Sequence, residues 1–457
     1  MTVIDYILST IVFWMAWIII PLLMEIFPAI GNFFVLLFKR FRQKKEMPAS
    51  YDPEITLIIP VYNSADTLKA CIASVAQSTY PSELIHIMLV NNESRDNSFE
   101  IYNECQMLYP ELRMNWMNAK QGKSKALNLA LFSSYGKYII HIDSDGILHP
   151  DALRSMVNMF EQEPDTHCVT GTIMTNPKMI DETKNPFLRL FRKVEFFEYC
   201  QAFLAGRNFE SEFNSIYTLS GAFSAFRKSA ILKTQLYNTD TVCEDTHVTF
   251  QVREMLHQRV RICPKAIFYV DPIEGINQLY TQRQRWQRGE LEVAHMFLRK
   301  KLSAGKGFFS NFAIRLLMYD HTFAFPRMIW YFALIFLAFK NYPMKLILMS
   351  LVVIYVLYVI SALLYYINVL IFLTPRKEVK RYYAPKWYLA FLLPLFNFLV
   401  FWFRFAGIVN SISRSQTWRT SNLTEECSAF RAVVRHDFAW LIRALNKARE
   451  VVNNDEE

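Results

Sequence analysis

Three short groupings in this chain have the composition of a reaction site. "DSD" (143–145) sets two carboxylates, Asp143 and Asp145, two residues apart. Hard oxygen ligands of this kind hold Mg²⁺ or Mn²⁺, and Mg²⁺ typically takes one or two carboxylates and completes its shell with phosphate oxygens and water. Such a site suits a diphosphate leaving group, whose growing charge the cation offsets. Short acidic loops are also ordinary surface. "CED" (243–245) places Glu244 and Asp245 before a helix-like stretch. Acids there either complement the helix dipole or, in the case of Asp245, take a proton from an acceptor hydroxyl. "QLYTQRQRWQRGE" (278–290) gathers Arg283, Arg285 and Arg288 around Trp286. It reads as a basic helix on lipid headgroups, or as a site where Arg285 clamps a diphosphate and Trp286 stacks on a sugar ring.

The elements around the acid pair alternate. "ITLIIPVYN" (55–63), "LIHIMLVNN" (84–92) and "KYIIHID" (137–143) are apolar, β-branched runs that predict buried strands. "SADTLKACIASVAQS" (64–78, with Ser64 as N-cap), "SFEIYNECQMLY" (98–109) and "KSKALNLALFSS" (123–134) have helical spacing. This rhythm predicts an α/β domain with a parallel-rich sheet and helices on both faces. Ligands of such sheets bind beyond the carboxyl ends of the strands, which is where Asp143 and Asp145 fall. "QGKSK" is not a Walker loop, because Met117 stands where the first glycine belongs, and no G-x-G-x-x-G follows a strand. His141 reads as a packed core residue. His247, two residues past Asp245, is a weaker candidate metal ligand.

The apolar residues of this 457-residue chain are concentrated at 6–38 and 322–412. Spans long enough for a bilayer are predicted over 6–24, 325–339 with its flanks, 346–373 and 387–409, the last broken by Pro394 and Arg404. The first reads as an anchor, not a cleaved signal. "KRFRQKK" (39–45) and "PRKEVKR" (375–381) place the intervening domain in the cytoplasm by the positive-inside rule. The net charge of +9 is thereby assigned to topology and anionic lipid, with no nucleic acid implied. Seven scattered cysteines without a C-x-x-C pair argue against a disulfide framework or zinc site and read as reduced thiols. The expected division is an anchor and basic flank (1–45), a catalytic domain (46–300), an interfacial helix and membrane bundle (301–412), and a tail with an amphipathic helix (413–457).

The order D-x-D, E-D, Q-x-x-R-W resembles the membrane-bound processive glycosyltransferases of family 2, the cellulose, hyaluronan, chitin and poly-N-acetylglucosamine synthases. "IIPVYN" (58–63), "AQSTYP" (76–81), "GKSKALNLAL" (122–131), "TLSGAFSAFRK" (218–228) and "TWRTS" (417–421) extend the likeness over roughly residues 50–420. The resemblance implies a GT-A domain inserted between transmembrane helices and an inverting transfer from a UDP-sugar to a β-linked polysaccharide, with export through its own helices. It makes Asp245 the base, supported by Glu244. Asp143 touches the nucleotide, and Asp145, with Asp143, holds Mg²⁺ or Mn²⁺. Gln282, Arg285 and Trp286 lie over the diphosphate and acceptor, while Pro60, Tyr62, Asn92 and either Lys123 or Lys125 lie near the donor.

Two departures stand out. In "VNNES" (90–94), Asn92 replaces the acid that recognises uracil in the family and Glu93 replaces the usual glycine. An amide both donates and accepts, whereas a carboxylate only accepts, so nucleotide identity stays open. The C-terminal W-x-T segment lacks its following arginine. Transfer of a single sugar to a lipid carrier or glycolipid, and a non-catalytic membrane subunit, are the alternatives. A full crossing at 387–409 would place Trp418 outside the cell, and a re-entrant path around Pro394 would return it.

Overall fold

The structure, a computed structural model, describes residues 26–42, 51–241, 243–303, 325–340, 342–413 and 422–428, together with Leu22 and Arg431. The predicted anchor at 6–24 (Leu22 apart), the segment "TWRTS" (417–421) and nearly all of the amphipathic tail (429–452) lie outside these residues.

Among the described residues, eight strands form one sheet: β1 (Ile55–Val61), β2 (Ile85–Asn91), β3 (Arg113–Asn118), β4 (Tyr138–Ile142), β5 (Ile147–Leu148), β6 (Thr166–Thr175), β7 (Phe223–Arg227) and β8 (Arg259–Val270), in the order β3-β2-β1-β4-β7-β6-β8-β5. The β3-β2-β1-β4 half is parallel, as the strand–helix rhythm predicts. The far half is mixed: β7 runs antiparallel to β4 and β6, and β5 antiparallel to β8. A sheet buried on both faces needs unbroken apolar strands, and every residue of β1 and β4 is buried.

The helices begin with α1 (Phe27–Arg42), α2 (Leu68–Ala76), α3 (Ser98–Leu108), α4 (Lys123–Phe132), α5 (Ala152–Gln162), α6 (Pro186–Tyr199) and α7 (Glu244–Phe250). There follow α8 (Ile276–Ser303), α9 (Phe325–Phe339), α10 (Met344–Phe372) and α11 (Leu389–Ser413). The first predicted helix starts late. Ser64 is not its N-cap, because its hydroxyl faces Ser144 Oγ (2.7 Å) and ties the end of β1 to the acid loop. Chain order reverses between β1 and β4, the switch point where such sheets bind ligands. The D-x-D segment leaves β4 at that crevice.

Among the described residues, two helices, Met344–Phe372 and Leu389–Asn410, are long and apolar enough to cross a membrane. The break expected at Pro394 does not occur, and α11 runs through it. Arg404 does not face lipid either. It is buried against α8, donating to Gln287 Oε1 at 3.4 Å. The two helices approach so closely that a Cβ on Gly407 would lie 2.8 Å from the Gln284 carbonyl oxygen. The soluble sheet is pinned to the loop after α10 by Arg376, which pairs with Asp151 and donates to the Lys265 carbonyl at 2.7 Å. The predicted boundary at residue 300 falls inside α8.

Filling a close backbone approach forces displacement, at roughly 1–3 kcal/mol. Gly407→Leu is therefore expected to lower the thermal midpoint of the detergent-solubilised protein. Gly31→Ala in α1, where the new Cβ meets nothing within 4 Å, is expected to leave it unchanged or slightly raised.

Candidate active site

The site is organised by a lysine at the first residue of a helix. Gly122 precedes α4 with φ +130°, a conformation that favours glycine. Its N–H donates to Asn92 Oδ1 at 2.7 Å. That bond ties the end of β2 to the start of α4 and turns Lys123 toward the end of β4. Lys123 Nζ donates to the Asp143 carboxylate and to the Gly221 carbonyl (2.9 Å), and lies 3.8 Å from Glu244 Oε1. Burial opposes its charge, but Asp143 and Glu244 outweigh that and hold its pKa above the ordinary lysine value. Lys125, two residues on, is exposed, so of the two lysines it is Lys123 that meets the acids.

Four carboxylates converge there. Asp145 reaches solvent, yet the protein crowding its other sides and the Asp143 carboxylate push its pKa up to about 6. Glu244 is buried, and burial raises its pKa against the pull of Lys123. Asp245 is raised by burial as well, opposed by the Thr246 N–H and by the charges of Lys123, Arg207 and Arg285. Its Oδ1 accepts from the Thr246 N–H at 2.6 Å. Thr249 Oγ1 donates to the Asp245 carbonyl (2.6 Å) and accepts from the Leu219 N–H (3.1 Å), joining α7 to the 218–222 segment. A cation fits the donors present, which are hard carboxylate oxygens whose mutual repulsion it would relieve. Asp145 is the free ligand, since Asp143 is engaged by Lys123. Among the described residues no three His, Cys, Asp or Glu side chains form a self-sufficient cage, and substrate phosphate would have to complete the shell.

Helix α8 closes the site. A Cβ on Gly289 would lie 1.8 Å from Cys243 Sγ, so the helix backbone rests directly on the segment that carries Glu244 and Asp245. Arg285 is exposed, and Gln282 and Trp286 are half-buried. Trp286 packs edge-on to Phe203, with ring centroids 6.0 Å apart.

Asp143, Asp145, Glu244, Asp245 and Lys123 are thus brought together by the fold, with Arg285 near enough to act on Asp245. Pro60 is not at the mouth; it is a buried residue of β1. Tyr62 is exposed beside Gln121, which donates to its hydroxyl at 3.4 Å. Asn92 is buried and its oxygen serves Gly122. His141 is in the core, bonded to Tyr237, and burial lowers its pKa to about 3. His247 does not face the acid pair, because its ring nitrogens meet Gln251 (2.9 Å) and Asn238 (3.3 Å). The sequence reasoning missed Arg207, which carries no motif, and Asp96. The latter accepts from the Ala65 N–H (2.8 Å) and Ser98 and so shapes the loops beyond β1 and β2. Asp96-x-Ser98 is a turn signal that could have revealed it.

Residues 56–234 match the family profile described as glycosyl transferase family 2. A poly-beta-1,6-N-acetyl-D-glucosamine synthase of Staphylococcus epidermidis is 24% identical over 277 residues, covering 60% of this chain and 64% of that protein. A synthase of the same name from Staphylococcus aureus is 25% identical over 281 residues with the same coverage. The chain thus spans less than two thirds of the length of these relatives. Among solved structures, a mannosyltransferase from Pyrobaculum calidifontis in complex with GDP-Man and Mn²⁺ superposes with a TM-score of 0.57 at 15% identity, over 88% of this chain and 99% of that one. The likeness establishes a GT-A-like fold.

A Cβ on Gly221 would sit 2.9 Å from Asp245 Oδ2. Gly221→Ala is expected to leave the fold intact but shift that carboxylate, and displacements near 1 Å cost up to about 10²-fold in rate. Turnover compared with circular dichroism and thermal midpoint checks this.

Proposed function

Because this chain carries a family 2 glycosyltransferase domain, we propose that it builds a β-linked polysaccharide at the membrane by inverting transfer from a nucleotide-sugar, UDP-linked as in the resembling family. The observation that carries this reading is the convergence of Asp143, Asp145, Glu244 and Asp245 around Lys123, with the Arg285 charge near enough to act on Asp245. The Mn²⁺ in the complex of the mannosyltransferase and the product made by the staphylococcal synthases support a metal-assisted, polymer-forming reaction.

In this mechanism Asp245 accepts the proton of the acceptor hydroxyl. The hydroxyl oxygen forms a bond to the anomeric carbon as the bond from that carbon to the diphosphate oxygen breaks, and the nucleoside diphosphate leaves. A raised pKa makes Asp245 a stronger base near neutral pH. Lys123 and Glu244 fix the local charge, and Arg285 faces the departing diphosphate. A divalent ion held by Asp145 and Asp143 would supply charge neutralisation to the leaving group. Trp286 offers an aromatic face to the acceptor sugar. A cavity of about 60 Å³ between α10 and α11, lined by Gln201, Tyr358, Ser361, Tyr365 and Asn397 among others, puts amides, hydroxyls and aromatic rings among apolar helices. The basic residues Lys39, Arg40 and Arg42 at the end of α1 support a cytoplasmic catalytic domain.

Asp245→Asn is expected to retain nucleotide binding and lose about 10²–10⁴-fold in turnover, the usual worth of a general base. The assay is metal-dependent release of UDP from UDP-N-acetylglucosamine, with product length read on a gel. Nucleotide release by the wild type with no polymer would favour single transfer. Asp245 must be unprotonated to act, so activity should fall as pH drops through its raised pKa. The acid limb of the pH–rate profile should therefore lie above the ordinary aspartate value of 3.8.

A further inference from the structure

Arg283 sits inside the Q-x-x-R-W run between Gln282 and Gln284 and has the composition of a phosphate or lipid ligand. The fold gives it neither role. It is 1% exposed and donates to Glu198 Oε2 on α6 at 2.6 Å, and Glu198 is itself 3% exposed. Its guanidinium carbon lies 4.5 Å from the centroid of Trp286 and 5.5 Å from that of Tyr199. The Tyr199 hydroxyl in turn reaches Gln282 Oε1 at 3.5 Å. Glu195, one turn earlier on α6, is not the counter-ion. Its Oε2 accepts the Ile273 N–H, and burial pushes its pKa up to about 8.

Removing two charges from water costs several kcal/mol per ion, and a buried pair replaced by well-packed apolar side chains is often as stable or more so. This pair is not even fully satisfied: Arg283 Nε and Glu198 Oε1 have no hydrogen-bond partner among the described residues. Its worth therefore lies in what the guanidinium touches. A planar cation against one face of an indole, with Phe203 edge-on at 88°, fixes both the tilt and the position of the ring.

We propose that Arg283, held by Glu198, is a positioning residue that sets the Trp286 ring for the acceptor sugar. This rests on the reading of Trp286 as the acceptor platform given above.

The test uses full-length protein in detergent, UDP-N-acetylglucosamine as donor and a short β-linked N-acetylglucosamine oligomer as acceptor. Arg283→Met alone strands the Glu198 charge and is expected to lose stability. The double variant Arg283→Met/Glu198→Leu removes both charges and is expected to regain the wild-type thermal midpoint. Both should raise the acceptor KM about ten-fold, the scale of a desolvated cation–π contact, with donor KM within about two-fold. In a Trp286→Leu background, Arg283→Met/Glu198→Leu should add nothing further, since the two changes act through one ring. A double variant with wild-type acceptor KM would overturn the inference and leave Arg283 purely structural. Trp286→Leu with unchanged acceptor KM, or a wild type without turnover, would instead remove the acceptor reading beneath it and this inference as well.

Discussion

One half-buried ammonium group determines the geometry of the site. The Asp143 carboxylate, the Gly221 carbonyl and the Glu244 carboxylate come from three elements far apart in sequence, and all three turn toward Lys123 Nζ. Without that cation, acids leaving β4 and opening α7 would repel one another across a partly desolvated crevice. With it, the same acids become mutually compatible, and the 218–222 segment is drawn against Asp245. The charge is in turn placed by backbone geometry, since Gly122 with positive φ, held by Asn92, aims the first residue of α4 inward.

The helix that covers this crevice is seated by the absence of side chains. Gly289 lets α8 lie on Cys243, and Gly407 lets α11 lie on α8. The polar face of α8 toward α11, with Gln284 and Gln287, gives Arg404 a hydrogen-bonded place inside an apolar helix. Arg283 and Glu198 do the same between α8 and α6. Charged groups in apolar surroundings thus mark the seams where helices meet the catalytic sheet, and each has a named partner.

Much of this was legible in the residues. The apolar runs that became β1, β2 and β4 are buried on both faces, so their pattern is strong. D-x-D reaches the crevice from the end of β4 in the parallel half of the sheet, whereas E-D and Q-x-x-R-W are brought to it on α7 and α8, which follow the mixed half. What the residues concealed depended on contacts distant in sequence. Ser64 has the composition of a cap, but its hydroxyl is taken by Ser144, eighty positions away. Asn92 stands where a base-reading acid is expected, but its oxygen serves a backbone N–H. The three arginines of the α8 motif look alike in sequence, and only packing separates exposed Arg285 from entombed Arg283. The mixed half of the sheet was hidden because β7 pairs with β4 and β6 across long intervals and β8 pairs with β6 through register shifts.

The close approach at Gly407 also bears on how this molecule can be divided. The Gln284 backbone that it touches is two residues from Trp286, on the helix that roofs the reaction crevice. Cutting the chain after Ser303 to obtain a water-soluble enzyme would strip that roof of its outer cover and leave Gln287 facing the gap vacated by Arg404. The catalytic half therefore ends without a clean seam, and its natural unit for expression and crystallisation includes the greasy helices behind it.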